Sequence, residues 1–535
     1  MAVWCGAWGP TMSEMRMLRR RPYEEMHARF RWDLPETLNM AEQVCDGWAA
    51  TDPDRIAVID LTDGRRGWTY GELWKLSRRV EGALIEKGVM RGDRVGVLLS
   101  QSPLTLAAHI AAWRLGAISV PLFKLFRRGA LESRIRDSGL GVVVSDAEGR
   151  AALDGLGLAV LTEADLGKGL PSSAGIETGP DDAAVLIYTS GTTGAPKGAL
   201  HGHRVLTGHL PGVEMSHDFL GRRGDVLWTP ADWAWIGGLF DVAMPGLALG
   251  VPVVACRLPK FTPEDCVRIC REGAVRNVFF PPTVLRMLQA SDTRIEGLRS
   301  VASGGEPLGA EMLAWGRDAL GVSINEFYGQ TECNMVASSC GDLFSPRPGY
   351  IGRAVPGHHV AVVGPDGTPC DGEGDVAVKR GSASMMLEYW RKPAETRAKF
   401  RGRWMLTGDR GVLEDGFLRF VGREDDVITS SGYRIGPSEI EDCLMTHDAV
   451  ANVGVVGKPD QMRTEIVKAY VVLREGVEGT DALAAELAEW VKARLASYSY
   501  PREVAFLPEL PMTVTGKVIR KDLKARAAAE KEDET

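Results

Sequence analysis

No stretch of this 535-residue sequence approaches the roughly 20 consecutive apolar residues of a membrane-spanning helix, so a spanning protein is not expected. Cysteine is scattered: nine residues, with no CxxC pair. Cys266 and Cys270 lie four apart on an expected helix without a histidine cluster beside them, which argues against a zinc site or a disulfide framework. All nine read as free thiols of a reducing compartment, and the expected location is cytoplasmic. Basic charge is in deficit, with 63 Lys and Arg against 71 Asp and Glu. The net charge of −8 excludes a general grip on nucleic acid. The run Arg19-Arg20-Arg21 reads as a solvated patch. The N-terminus lacks the apolar core and cleavage site of a signal peptide. Glu14, Glu24 and Glu25 interrupt the arginines that a transit peptide would use. Internal repeats are absent, and the charged tail from Ala525 is expected to fray.

What remains is an ordinary globular composition, 44% apolar and 25% charged, in a chain too long for one core. Predicted strands at Ile56–Asp60, Asp93–Leu99 and Gly141–Ser145 alternate with predicted helices at Gly71–Lys87 and Leu104–Arg114. Residues 151–182 read as a surface connection. The alternation resumes with strands at Val226–Trp228, Val251–Ala255, Val275–Phe280 and Leu298–Ala302, separated by helices at Phe240–Leu249, Pro263–Glu272 and Pro282–Gln289. Such alternation predicts parallel α/β layers. From Gly349 to Val421 short strands between Gly, Pro and Asp turns predict a β-rich subdomain. A small α+β unit follows, with helices at Pro437–Met445 and Asp481–Leu495 and strands at Val450–Val456 and Val467–Leu473. The expected fold is α/β: a large N-terminal domain, residues 1–424, and a small C-terminal domain, residues 425–535.

One stretch organises the chain: Tyr188-Thr189-Ser190-Gly191-Thr192-Thr193-Gly194-Ala195-Pro196-Lys197-Gly198. It follows the apolar run Ala183–Ile187, a predicted buried strand. Glycines let backbone approach a ligand closely, and successive N–H groups in such a turn form a nest for anions. Hydroxyls from Thr189, Ser190, Thr192 and Thr193, with the Lys197 ammonium, suit polyphosphate. The Walker pattern is not met, because Pro196 and Gly198 stand where Gly and Ser or Thr belong. The whole string instead resembles the phosphate loop of the adenylate-forming superfamily, which holds acyl-CoA synthetases, luciferases and peptide-synthetase adenylation domains. Further stretches extend the resemblance over roughly residues 50–525, closest to the acetyl-CoA and medium-chain acyl-CoA synthetase branch.

The resemblance implies a site. Gly304-Gly305-Glu306-Pro307 would run along the adenine. Within Glu326-Phe327-Tyr328-Gly329-Gln330-Thr331-Glu332, Tyr328 would pack on the base, Thr331 meet the α-phosphate and Glu332 hold Mg²⁺. Glu326 stands where relatives carry Asn or Asp to reach the adenine amino group. Asp409 would accept from the ribose hydroxyls, and Arg423 would contact ribose and phosphate. Asp425 would be the pivot of a mobile C-terminal lid. Ser431-Gly432-Tyr433 would meet the CoA pantetheine, and Arg434 a nucleotide phosphate. Lys517 would be the catalytic lysine, one ammonium on a loop facing a polyanionic transition state. Trp235, Ile236, Gly237, Gly304 and Gly329 would line the acyl pocket. Gly237, Gly304 and Gly329 stand where acetate-specific relatives carry bulk, which predicts a longer slot for medium-chain or branched acids, about C4 to C10.

The implied activity is that of an ATP-dependent, AMP-forming acid–thiol ligase of fatty acid metabolism, an acyl-CoA synthetase using ATP, CoA and Mg²⁺. A carrier-protein-loading adenylation enzyme, an aryl-acid CoA ligase and a luciferase-type oxygenase use the same adenylate. Expected partners are these small molecules. Relatives with the same Pro-x-x-x-x-Gly spacing before the lysine also make Lys517 a candidate for an acetyltransferase and deacetylase. A monomer or small homo-oligomer is expected.

Overall fold

Buried parallel strands need crossover helices, and the alternating pattern supplies them. The computed structural model describes residues 16–532, apart from 172–174, 190–195, 259, 306–307, 424–425 and 513–517. Among the described residues three sheets form, of 14, 7 and 5 strands. In the seven-stranded sheet, Ala183–Thr189 runs parallel to Ile118–Pro121, which runs parallel to Arg94–Leu98, followed by Val142–Ser145. Lys197–Gly202 pairs antiparallel to Ala183–Thr189 with Thr189 opposite Lys197, so the two flanks of the glycine-rich stretch lie side by side.

Local chemistry sets the helices. Thr69 caps the helix Tyr70–Glu86: its hydroxyl accepts from the Glu72 N–H at 3.2 Å, and the Glu72 carboxylate accepts from the Thr69 N–H at 2.9 Å. Gly88, at φ +77°, follows its end. The helix Pro103–Arg114 is apolar on nearly every side and correspondingly buried. It lies in one apolar cluster with Val97 and Val185 of the seven-stranded sheet and Leu227 and Val253 of the large sheet.

The β-rich stretch forms as expected and continues the large sheet, while two other expectations need correction. Ile324–Gln330, the last parallel strand of the large sheet, turns back into Asn334–Ser338, and the antiparallel strands Gly352–Ala354, Phe417–Arg423, Trp404–Glu414 and Gly374–Lys379 continue the same sheet. Within 151–182, Ala159–Leu161 adds a parallel edge strand to Val142–Ser145. The tail does not fray at Ala525: the helix Arg520–Glu532 buries Leu523 and Ala527, one turn apart, against Val456 and Tyr470.

The chain changes sheet between Arg423 and Ile428. Beyond it, Thr464–Leu473 pairs with Val450–Asp460, Ile428–Ser430 and Glu503–Phe506. Helices Pro437–Met445 and Asp481–Arg494 contribute Ile440, Leu444, Leu487 and Val491 to a core of its own.

Candidate active site

Parallel strands open a crevice at their carboxyl ends, where α/β sheets bind ligands. Here Ser300–Gly304 and Ile324–Gln330 run side by side, with Gly304 opposite Phe327. A cavity of about 380 Å³ lies over them. It brings together Gly304, Gly305, Glu326, Phe327, Tyr328, Gly329, Gln330 and Thr331 with Trp235, Ile236, Gly237 and Asp409. Gly432 and Arg434 of the C-terminal unit line it too. Ser190, Gly191, Thr192, Thr193, Gly194, Glu306, Pro307, Asp425 and Lys517 fall outside the described residues.

On the polar side, the Tyr328 hydroxyl donates to Asp409 Oδ2 at 2.5 Å. The turn that presents Asp409 contains Gly408 at φ +82° and is tied by two bonds: Asp409 N–H donates to Thr407 Oγ1 at 3.1 Å, and Gln330 Nε2 to the Thr407 carbonyl at 3.0 Å. Arg423 stands opposite Asp409 on the neighbouring strand. Glu326 Oε1 accepts the Leu308 N–H at 2.9 Å. Burial pushes the Glu326 carboxyl up to about 7, although the Leu308 bond opposes the shift.

Glu332 lies fully inside. Burial alone would raise its carboxyl, but the charges of Lys399 and Arg434 and a hydrogen bond from Tyr389 hold it down at about 2. Tyr389 donates to Oε1 at 2.5 Å. Oε2 is buried with no partner among the described residues. An ionised oxygen left open in this way fits a divalent cation completed by phosphate oxygens and water. Among the described residues no cluster of three or more His, Cys, Asp and Glu offers an alternative cage. Lys197 Nζ sits 5.6 Å from the Tyr389 ring centroid, so one tyrosine bridges the end of the glycine-rich stretch and the Glu332 carboxylate.

The apolar side is built from rings. Trp235 and Phe279 stand 6.2 Å apart, and Phe279 and Phe327 5.2 Å. The glycines do not leave the slot that the resemblance implied. A Cβ at Gly329 would meet the Asn334 carbonyl oxygen at 1.9 Å, because the strand register shifts there and Asn334 adopts φ +49°. At Gly304 it would meet the Phe327 ring at 2.5 Å, and at Gly237 it would meet Trp235 at 3.0 Å and Phe279 at 3.2 Å. Backbone and aromatic rings already occupy the space that these glycines free. Gly329→Ala is therefore expected to force the hairpin apart, at about 1–3 kcal/mol or more. Thermal melting should show a lowered midpoint, and kcat/KM should fall for all acids alike. A change of acid preference at unchanged stability would contradict the backbone reading.

A second cleft adjoins the cavity, sharing Trp235, Thr331 and Arg434 with it. Its walls include Thr189, Phe123, Tyr433 and Tyr498. Tyr433 stacks on Tyr498 at 4.1 Å and 9°. Ser431 lines neither space; its hydroxyl accepts from Arg463 at 3.0 Å. Sequence reasoning missed Tyr389, Lys399, Phe279, Asn334 and Asp241. An acidic residue inside the apolar run Ile236–Leu249 was a visible signal for the last of these.

Comparison with known proteins bears on the chain as a whole. The family model of the AMP-binding enzymes matches residues 45–390, and that of the AMP-binding enzyme C-terminal domain matches 439–517. The chain is 33% identical to acetyl-coenzyme A synthetase of Bacillus subtilis (strain 168) over 550 aligned positions, 94% of either chain. It is 31% identical to the mitochondrial acyl-coenzyme A synthetase ACSM2 of Rattus norvegicus, covering 98% of this chain and 97% of the relative. The crystal structure of a Brucella canis acyl-CoA synthetase superposes with a TM-score of 0.69 at 34% identity, over 96% of this chain and 99% of that one. Among the described residues no helix is long and apolar enough to cross a membrane, and eight cysteines are free thiols. With both family models matched in order and the aligned relatives spanning nearly the whole length, the chain belongs to the AMP-binding enzyme family.

Proposed function

We propose that this acid–CoA ligase activates a medium-chain or branched carboxylic acid, whose chain the aromatic recess of Trp235, Phe279 and Phe327 would take, with ATP and passes the acyl group to coenzyme A in the cytoplasm. The observation that carries the reading is the pair of adjoining spaces. Polar groups apt for a nucleotide (Glu326, Tyr328, Asp409) and an aromatic recess (Trp235, Phe279, Phe327) open into one cavity. The second cleft reaches that cavity at Thr331. An acyl adenylate would occupy the first space, and a thiol arriving through the cleft would reach it there.

In the first step a carboxylate oxygen attacks the α-phosphorus of ATP and pyrophosphate leaves. Here the protein positions reactants and neutralises charge. Thr189, Lys197 and the stretch between them would bind the β- and γ-phosphates. Glu332 would hold Mg²⁺, which when bound offsets phosphate charge. Lys517 stabilises the charge that develops on the carboxylate and α-phosphate. In the second step the CoA thiolate attacks the acyl carbon and AMP leaves, after the C-terminal unit turns about Asp425. ATP–pyrophosphate exchange over straight-chain, branched and aryl acids, followed by thioester formation with CoA, tests this. Exchange without thioester would overturn the ligase assignment, and acetate as the best acid would overturn the acid class.

Glu326 adds a pH signature. Its carboxylate accepts best from the adenine amino group when ionised, and ionisation is lost as pH falls through about 7. KM for ATP should therefore rise, by up to about tenfold, from one unit above that value to one unit below. Glu326→Gln keeps an acceptor without titrating and should flatten the difference. Parallel pH profiles for both proteins would remove Glu326 from the adenine contact.

A further inference from the structure

We propose that the acyl recess carries a hydrogen-bonding floor, made by Asp241 with Asn334, that selects acids bearing a hydroxyl group along the chain. This rests on the acid–CoA ligase reading above and specifies its substrate.

Asp241 sits in a π-helical turn, Leu239–Ala243, that interrupts the expected helix. It is 3% exposed, yet it lines the cavity beside Trp235, Ile236 and Phe279. Asn334 Nδ2 donates to its Oδ1 at 2.7 Å. No other hydrogen bond reaches the Asp241 carboxyl among the described residues. His209 Nδ1 is 3.8 Å from Oδ1, but that nitrogen is engaged with the Phe240 carbonyl at 2.8 Å. Burial also holds the His209 imidazole well below its ordinary value, hence neutral. Among the described residues the carboxyl therefore meets an apolar recess with one oxygen unmatched and no cation beside it.

A buried polar group left unpaired is costly, and a site built around one discriminates against ligands that cannot pair with it. A plain alkyl chain would leave this carboxyl unpaired. An ammonium would need an ionised carboxylate and would lose its own hydration in the same recess. Burial pushes Asp241 the other way, up to about 8, despite the Asn334 bond. A hydroxyl accepts from the protonated carboxyl and donates to the ionised one, so it complements both forms. A purely structural duty is the competing account: Asp241 would simply hold Asn334 in its left-handed conformation at the hairpin.

The test uses the full chain with saturating ATP and CoA. Thioester formation is measured for hexanoate, the 3-, 4-, 5- and 6-hydroxyhexanoates and 6-aminohexanoate. At least one hydroxy isomer is expected to exceed hexanoate in kcat/KM by about tenfold. Asp241→Leu should collapse that ratio, mainly through KM, whereas Asp241→Asn, which keeps a polar group on the same shape, should retain most of it. Hexanoate equal to or better than every hydroxy isomer in the wild type overturns the proposal, even if the leucine variant does not fold. So does a leucine variant that lowers both acids alike, which is the structural account. Preference for 6-aminohexanoate overturns the choice of a neutral hydroxyl. Failure of every acid to give a thioester instead overturns the ligase reading beneath it.

Discussion

Lys517→Ala is expected to slow adenylate formation by about a thousandfold while thioester formation from supplied acyl-AMP is largely spared. The magnitude is that of one donor removed from a developing oxyanion in a water-poor site, about 10²–10³ or somewhat more. The asymmetry follows from the two steps. Charge accumulates on the α-phosphate and the attacking carboxylate only in the first; in the second, AMP is already a good leaving group. In the proposed reading the two steps use different segments of the C-terminal unit. Gly432 and Arg434 line the cavity, on the face that the second step would use. Lys517 belongs to a different segment, whose flanks, Met512 and Val518, pair with each other. Rapid-quench measurement of both half-reactions, beside a melting curve, decides the matter. Equal losses in both steps with an unchanged melting temperature would refute a lysine used in one conformation only. Acetylation of Lys517 removes the same charge and should reproduce the alanine variant.

The parallel halves of both larger sheets were legible because doubly buried strands read as unbroken apolar runs, as Val142–Ser145 and Ala183–Ile187 do. The helix Tyr70–Glu86 announced itself by its period and its capping residues. Pairing partners were not legible. Turn signals from Gly349 onward predicted short strands, but nothing local says that Gly352–Ala354 joins Asn334–Ser338 rather than founding another sheet. The polar half of the site was largely written in contiguous motifs. Tyr389, 57 residues from Glu332, carries no motif and is found only once the strand Glu388–Tyr389 pairs with Lys197–Gly202. The glycines misled for a related reason. Gly329 was read as a missing side chain facing substrate, whereas a shift of register between Tyr328 and Gly329 sets the Asn334 backbone against it. A glycine in a sequence shows that space is needed, but not what fills it.

Glu332→Gln is expected to lower adenylation by about two to three orders of magnitude and to raise the Mg²⁺ concentration needed for half-maximal rate. The amide keeps the shape and can still accept from Tyr389, so the cavity should survive. What disappears is the charge. Glu332 is ionised throughout the working range, since Lys399, Arg434 and Tyr389 outweigh the effect of burial and hold it at about 2. The amide supplies only a weak neutral ligand where an open anionic oxygen stood. It also leaves Lys399 and Arg434 facing a neutral group, so stability should change with a defined sign. A carboxyl depressed from an ordinary 4.5 to about 2 contributes stability that is complete above 4.5 and is lost as pH falls towards 2. The wild type should therefore melt higher than the variant at neutral pH, and the gap should close as pH falls below about 4.5. An unchanged Mg²⁺ requirement with full activity would place the metal elsewhere. A melting gap that stays constant into acid would show that the charges of Lys399 and Arg434 do not act on this carboxylate.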